Sequence, residues 1–91
     1  MTKKNMIRVL VVEDDKETAA YIVKGLKECG HNADHAADGR EGLLMADSTD
    51  YQVIVADRML PKVDGVTMTR TLRGSGNRTP ILMLSLSLIH I

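Results

Sequence analysis

The sequence predicts an α/β fold: a doubly wound parallel sheet with helices on both faces. Three features point to it. Short apolar runs rich in β-branched residues, residues 7–12 (IRVLVV) above all, have the near-continuous apolar character of strands covered on both sides. Between them lie segments whose apolar residues recur at helical spacing. The joining stretches are short, so strands and helices alternate, a pattern that closes into a parallel sheet through right-handed crossovers.

The elements follow in order. Residues 7–12 form the first strand. From residue 15 to residue 29 the period changes, with Ala19, Ile22, Val23 and Leu26 on one helical face. Asp14 or Asp15 caps that helix and Gly30 stops it. Residues 32–36 read as a second, weaker strand, residues 40–47 as a short helix, and residues 52–56 (QVIVA) as a third buried strand ending at Asp57. Asp64 caps a helix running to about residue 73, with Met68 and Leu72 inward and Gly74 at its end. Pro80 then opens a fourth strand over residues 81–84.

In sheets of this kind, sites form beyond the carboxyl ends of the strands, where the strand order reverses. Glu13 and Asp14 follow the first strand directly and Asp57 ends the third, so neighbouring strands would gather carboxylates that are distant in sequence. Crowded carboxylates repel and raise one another's pKa unless a cation or proton compensates. Magnesium suits them, since it takes oxygen ligands in an octahedron and shares them with water and phosphate oxygens. Such a site fits phosphoryl transfer, in which the metal neutralises charge and the attacking oxygen is held in line. Asp57 is the best-placed attacker. Asp15 and Asp64 are expected to be helix caps rather than ligands.

Composition narrows the function further. An apolar fraction of 44% and a charged fraction of 26% describe an ordinary globular chain, and 91 residues make one domain at most. Twelve basic and twelve acidic residues cancel, leaving no basic surplus for direct nucleic-acid binding. The single cysteine, Cys29, cannot form an internal disulfide, and the helix is expected to bury it as a small core residue, which suits a reducing cytoplasm. Arg8 and the acids after residue 12 interrupt what would otherwise imitate a signal peptide, so neither export nor a membrane span is expected.

Three stretches carry a family resemblance: VLVVEDD at residues 9–15, VIVADRMLPKVDG at residues 53–65 and TPILMLS at residues 79–85. They resemble the receiver domains of bacterial two-component response regulators, and the most specific piece is Asp57 with Pro61 and Gly65 at fixed distances after it. The resemblance implies a flavodoxin-like receiver fold with strand order 2-1-3-4. It implies that Asp57 takes a phosphoryl group from the phosphohistidine of a sensor histidine kinase. It also implies that Asp14, Asp57 and the backbone carbonyl of Met59 ligate Mg2+, with Glu13 acting mainly through water, and that Ser85 is the switch hydroxyl that bonds the new phosphoryl group. The wording EDD, DRMLP and DG is most similar to receivers of the OmpR/PhoB type, whose parents usually carry a DNA-binding domain and regulate transcription; here DNA contact would come only through that absent domain.

The sequence also departs from the family. Receivers have five βα units, and this chain carries four strands. The fourth helix, the fifth strand with its phosphate-binding lysine and the fifth helix are expected to be missing, and with them the surface used by relatives for homodimer formation and output. No residue after Ser85 replaces the lysine. Residues 1–85 are therefore expected to be a partial receiver domain and residues 86–91 (LSLIHI) a non-native tail, which resembles a translated transposase end sequence of the kind found in sequencing-library adapters. The long, uncharged apolar segment at residues 80–91 is expected to be an unprotected sheet edge and an aggregation liability.

Other classes remain in view. An aspartate-based phosphatase also attacks with a strand-end Asp, but it carries a second Asp two positions on, where this chain has Met59; turnover would be limited to slow loss of phosphate from Asp57. A flavin-binding protein of similar topology wants a hydroxyl- and glycine-rich phosphate loop in place of EDD. A phosphorylation-independent interaction module, or a fragment unable to accept phosphate, is the alternative that the missing lysine raises. His31, His35 and His90 form no metal motif and are assigned no role.

Overall fold

The computed structural model of the chain describes residues 6–57 and 63–84. Four strands and three helices alternate: β1 (Arg8–Val12), α1 (Lys16–Glu28), β2 (Asn32–Ala36), α2 (Gly39–Ser48), β3 (Val53–Asp57), α3 (Gly65–Gly74) and β4 (Ile81–Leu84). All strand pairs are parallel, in the order β2-β1-β3-β4. The predicted sheet and its order are therefore present, and no element expected to follow β4 is among the described residues. Within the described residues no helix is long and apolar enough to cross a membrane.

The order determines where the helices lie. The chain steps from β1 to β2 in one direction and from β2 through β3 to β4 in the other, so right-handed crossovers put α1 on one face and α2 and α3 on the opposite face. The main core fills the α2/α3 side. Leu10 and Val12 of β1, Ile54 and Ala56 of β3, Met68 and Leu72 of α3, and Ala36, Ala46 and Tyr51 pack there as one buried cluster. Val9 and Val11 alternate to the other side, beneath α1, and are equally buried. β1 is thus covered on both faces, as its apolar run predicts. Each of its large side chains contributes about 1.5–3 kcal/mol by leaving water.

The helix starts follow the sequence. Asp15 caps α1, its carboxylate accepting the Thr18 N–H at 3.1 Å and also the Thr18 hydroxyl proton. Asp64 caps α3 by accepting the Thr67 N–H at 2.8 Å. Both acids are caps, as expected. Asp38 caps α2 by accepting the Glu41 N–H, and the Glu41 carboxylate reaches back to accept the N–H of Ala37, the residue before the cap, so the turn is braced by two bonds. Gly30 follows α1 at φ +90, the left-handed position that glycine adopts at no steric cost.

A second glycine matters for a different reason. A Cβ at Gly39, the first residue of α2, would collide with the Val63 carbonyl oxygen. The start of α2 and the chain entering α3 therefore touch backbone to backbone.

One expectation fails. Cys29 is exposed, not buried. It lies three residues after Leu26, on the same side of α1 as Ile22, but it is the C-cap, and among the described residues nothing packs over that part of the helix. Instead Tyr21, Ile22, Gly25, Leu26 and Cys29 line an open groove of about 470 Å³.

Candidate functional site

The site begins with register. Val12 of β1 pairs with Ala56 of β3, so the residues that follow them, Glu13 and Asp57, emerge side by side at the carboxyl end of the sheet. Here the strand order reverses, which opens a crevice between the crossovers. Asp14 stands next to Glu13 as the chain turns into α1. One carboxylate oxygen from each of Glu13, Asp14 and Asp57 can be chosen so that all three lie within 4.8 Å of one another. The three acids that the sequence singles out are brought together.

Their surroundings differ. Glu13 is only 2% exposed and Asp57 8%, whereas Asp14 reaches solvent. Burial of Glu13 raises its pKa above the ordinary 4.5, and the nearby Asp57 and Asp14 carboxylates push it the same way. The Asp15 N–H opposes this by donating to Glu13 Oε2 at 3.0 Å. A buried carboxylate beside two others is unfavourable in a low-dielectric setting unless positive charge arrives. Three hard oxygen donors at this spacing, with one acid open to solvent, fit a divalent cation of the magnesium type, which keeps water in part of its shell.

The backbone of Glu13 is held from β2. Its N–H donates to the Ala36 carbonyl at 3.0 Å, and its own carbonyl accepts from His35 Nε2 at 2.7 Å. Sequence reasoning left His35 without a role, because its partner is a main-chain oxygen that no spacing of side chains can announce. Met59 and Ser85, the expected carbonyl ligand and switch hydroxyl, lie outside the described residues.

Comparison with known proteins agrees with the fold. The family model of the response regulator receiver domain matches residues 9–88. The probable transcriptional regulatory protein SilR of Salmonella typhimurium is 40% identical over 79 residues, which is 87% of this chain and 35% of SilR. Among solved structures, the receiver domain of the Francisella response regulator 1452 is similar with a TM-score of 0.84 and 38% identity, over 87% of this chain and 65% of that one. The response regulator TrrA of Thermotoga maritima, solved in complex with Mg(2+)-BeF, has a TM-score of 0.82 and 28% identity, over 88% of this chain and 70% of its own. The chain spans about a third of the length of the curated relatives it matches.

Proposed function

The chain belongs to the response-regulator receiver family, and on that footing we propose that it accepts a phosphoryl group from the phosphohistidine of a sensor histidine kinase onto Asp57, with Mg2+ at the acidic centre. One observation carries the reading: three carboxylates from the ends of β1 and β3 converge within 4.8 Å, and two of them are buried. A solvated cap needs neither the convergence nor the burial.

Asp14, Asp57 and the Met59 carbonyl would hold the metal, and Glu13 would act mainly through water. When bound, Mg2+ supplies positive charge against the phosphoryl oxygens. The residues of the chain do the rest. A carboxylate oxygen of Asp57 attacks phosphorus, the Asp57 oxygen–phosphorus bond forms as the phosphorus–nitrogen bond of the donor breaks, and the imidazole leaves with its electron pair. The β1–β3 ladder keeps the Asp57 carboxylate at a fixed place beside Asp14, so little reorganisation accompanies the attack. Ser85 would bond the new phosphoryl group. With no second acid two residues after Asp57, a general acid for rapid turnover is lacking, and the domain signals rather than catalyses, losing phosphate slowly. The parent is proposed to be a transcriptional regulator, by analogy with SilR, and the OmpR/PhoB-type resemblance supports a cytoplasmic protein that binds DNA through a further domain.

The test is phosphorylation of the chain and of Asp57→Asn by a small phosphodonor with Mg2+, read by intact mass. Labelling of the unsubstituted chain alone is expected. Equal labelling of both would remove Asp57 from the mechanism, and labelling of neither would favour a phosphorylation-independent interaction module.

A further inference from the structure

We propose that His35 is a positioning residue of the acidic centre, fixing the peptide that joins Glu13 to Asp14 by donating its Nε2–H to the Glu13 carbonyl. This rests on the reading of Glu13, Asp14 and Asp57 as a metal centre. The Glu13 carbonyl and the Asp14 nitrogen belong to one planar unit, so the direction of that carbonyl sets the direction in which the chain departs towards Asp14. His35 Nε2 lies 2.7 Å from the oxygen. A carbonyl can only accept, so the ring carries its proton on Nε2.

The placement is specific. The peptide unit on the other side of Glu13 is also held by β2, through the Glu13 N–H to the Ala36 carbonyl at 3.0 Å, and the Glu13 side chain is held by the Asp15 N–H. β2 gives no carboxylate to the centre; its contribution is to hold Glu13 on both sides of its α-carbon. The register explains how. His35 pairs with Val11 and lies on the α1 side of the sheet, two residues short of Glu13 along the neighbouring strand. Its ring lines an open recess of about 370 Å³ with Lys16, Ala19, Ala20 and Val23. Those walls are mostly apolar and His35 itself is exposed, so packing alone does not call for an imidazole at this position. The imidazole instead brings a donor to a carbonyl one peptide bond from a metal-facing acid. Groups that orient the residues around a metal affect its binding although they never touch it.

The experiment measures Mn2+ binding to the full chain, to His35→Leu and to His35→Gln, following the free ion by electron paramagnetic resonance, with thermal unfolding of the metal-free proteins alongside. Leucine keeps the bulk and removes the donor; glutamine returns an N–H near the Nε2 position. Loss of one such hydrogen bond is expected to weaken Mn2+ binding about threefold to tenfold in His35→Leu, with no fall in its unfolding midpoint, and His35→Gln is expected to stay within about twofold of the unsubstituted chain. Unchanged affinity in His35→Leu overturns the positioning role and leaves the metal reading standing. Equal losses in both variants overturn the donor assignment. No Mn2+ binding by the unsubstituted chain overturns the metal reading, and this inference with it. A measurement on the unsubstituted protein keeps the proposal testable if His35→Leu does not fold: long-range proton–nitrogen spectra at about pH 8, where imidazole is neutral, should show the His35 proton on Nε2, and a proton on Nδ1 instead would refute it.

Discussion

On the face of the sheet covered by α2 and α3, the rung that runs from Leu10 through Ile54 to Ile81 ends half-buried. One residue further along, on the α1 face, the rung from Val11 through Val55 ends at Leu82, which is 58% exposed. The two rungs are equally apolar and share the same strands. Among the described residues, what separates them is the number of helices above: two crossovers serve one face and a single helix, packed on β1 and β2, serves the other. Burial in this sheet is therefore decided by the path of the chain as much as by the hydrophobicity of a position, and adjacent residues of β3 fall on opposite sides of that divide.

The largest expected effect separates those adjacent residues. Ile54→Ala removes a fully buried side chain from the closed face and should cost about 2–5 kcal/mol, whereas Val55→Ala, on the half-covered face, should cost about 1 kcal/mol or less. Urea denaturation of the two variants checks this, and equal losses would mean that the faces are equivalent. Gly39→Ala tests the closed side at its rim. Its Cβ would collide with the Val63 carbonyl, a backbone atom that can yield only by moving α2 or the entry to α3, so a loss of about 1–3 kcal/mol is expected in the same assay.

Where the two faces meet at the carboxyl end of the sheet, charge replaces packing. Asp57→Asn removes one of three neighbouring acids and should raise metal-free stability by about 1 kcal/mol while abolishing the stabilisation that the proposed Mg2+ site is expected to give the unsubstituted chain, both read from thermal unfolding. The pH dependence has two limbs. Burial, then Asp57 and Asp14, hold the Glu13 carboxyl above 4.5, so the folded chain binds that proton more tightly than the unfolded chain. From this group, metal-free stability falls as pH rises from about 4.5 through the raised folded value. Asp15 and Asp64 are held below 3.8, the first by the Thr18 hydroxyl and N–H and the second chiefly by the Thr67 N–H. Their contribution is complete above 3.8 and is lost as pH falls through their lowered values. Metal-free stability measured against pH should therefore rise through the lowered values of Asp15 and Asp64 and fall again through the raised value of Glu13, and saturating Mg2+ should flatten the falling limb. The smallest effect returns to the open rung: Leu82→Thr should change stability by less than about 0.5 kcal/mol, read in urea, and by its polarity should reduce association seen in sedimentation.

Much of the molecule was legible in its residues. The apolar run of β1, the period change into α1, and the caps Asp15 and Asp64 are local signals, and each leads to the element observed. The acidic centre was also legible, because acids directly after two buried strands must become neighbours if those strands pair in parallel. What escaped depends on relations that no local pattern encodes. Cys29 sits at a core spacing, yet its burial required a covering element on that side of α1. His35 gained a partner through the register of β2 against β1, and Gly39 through a backbone approach from a distant loop. Helix and strand ends differ from expectation by a residue or so, where capping geometry competes with periodicity.

The assembly of the acidic centre from β1 and β3 also has a kinetic side. Glu13 and Asp57 are 44 residues apart, with α1, β2 and α2 between them in the chain. Closing a loop of that length precedes any reward from the contact, so such pairings belong to the slow part of folding. If the acidic centre takes up a cation as proposed, its affinity during refolding is expected to emerge later than helix content, and the centre then serves as a clock for the completion of the sheet.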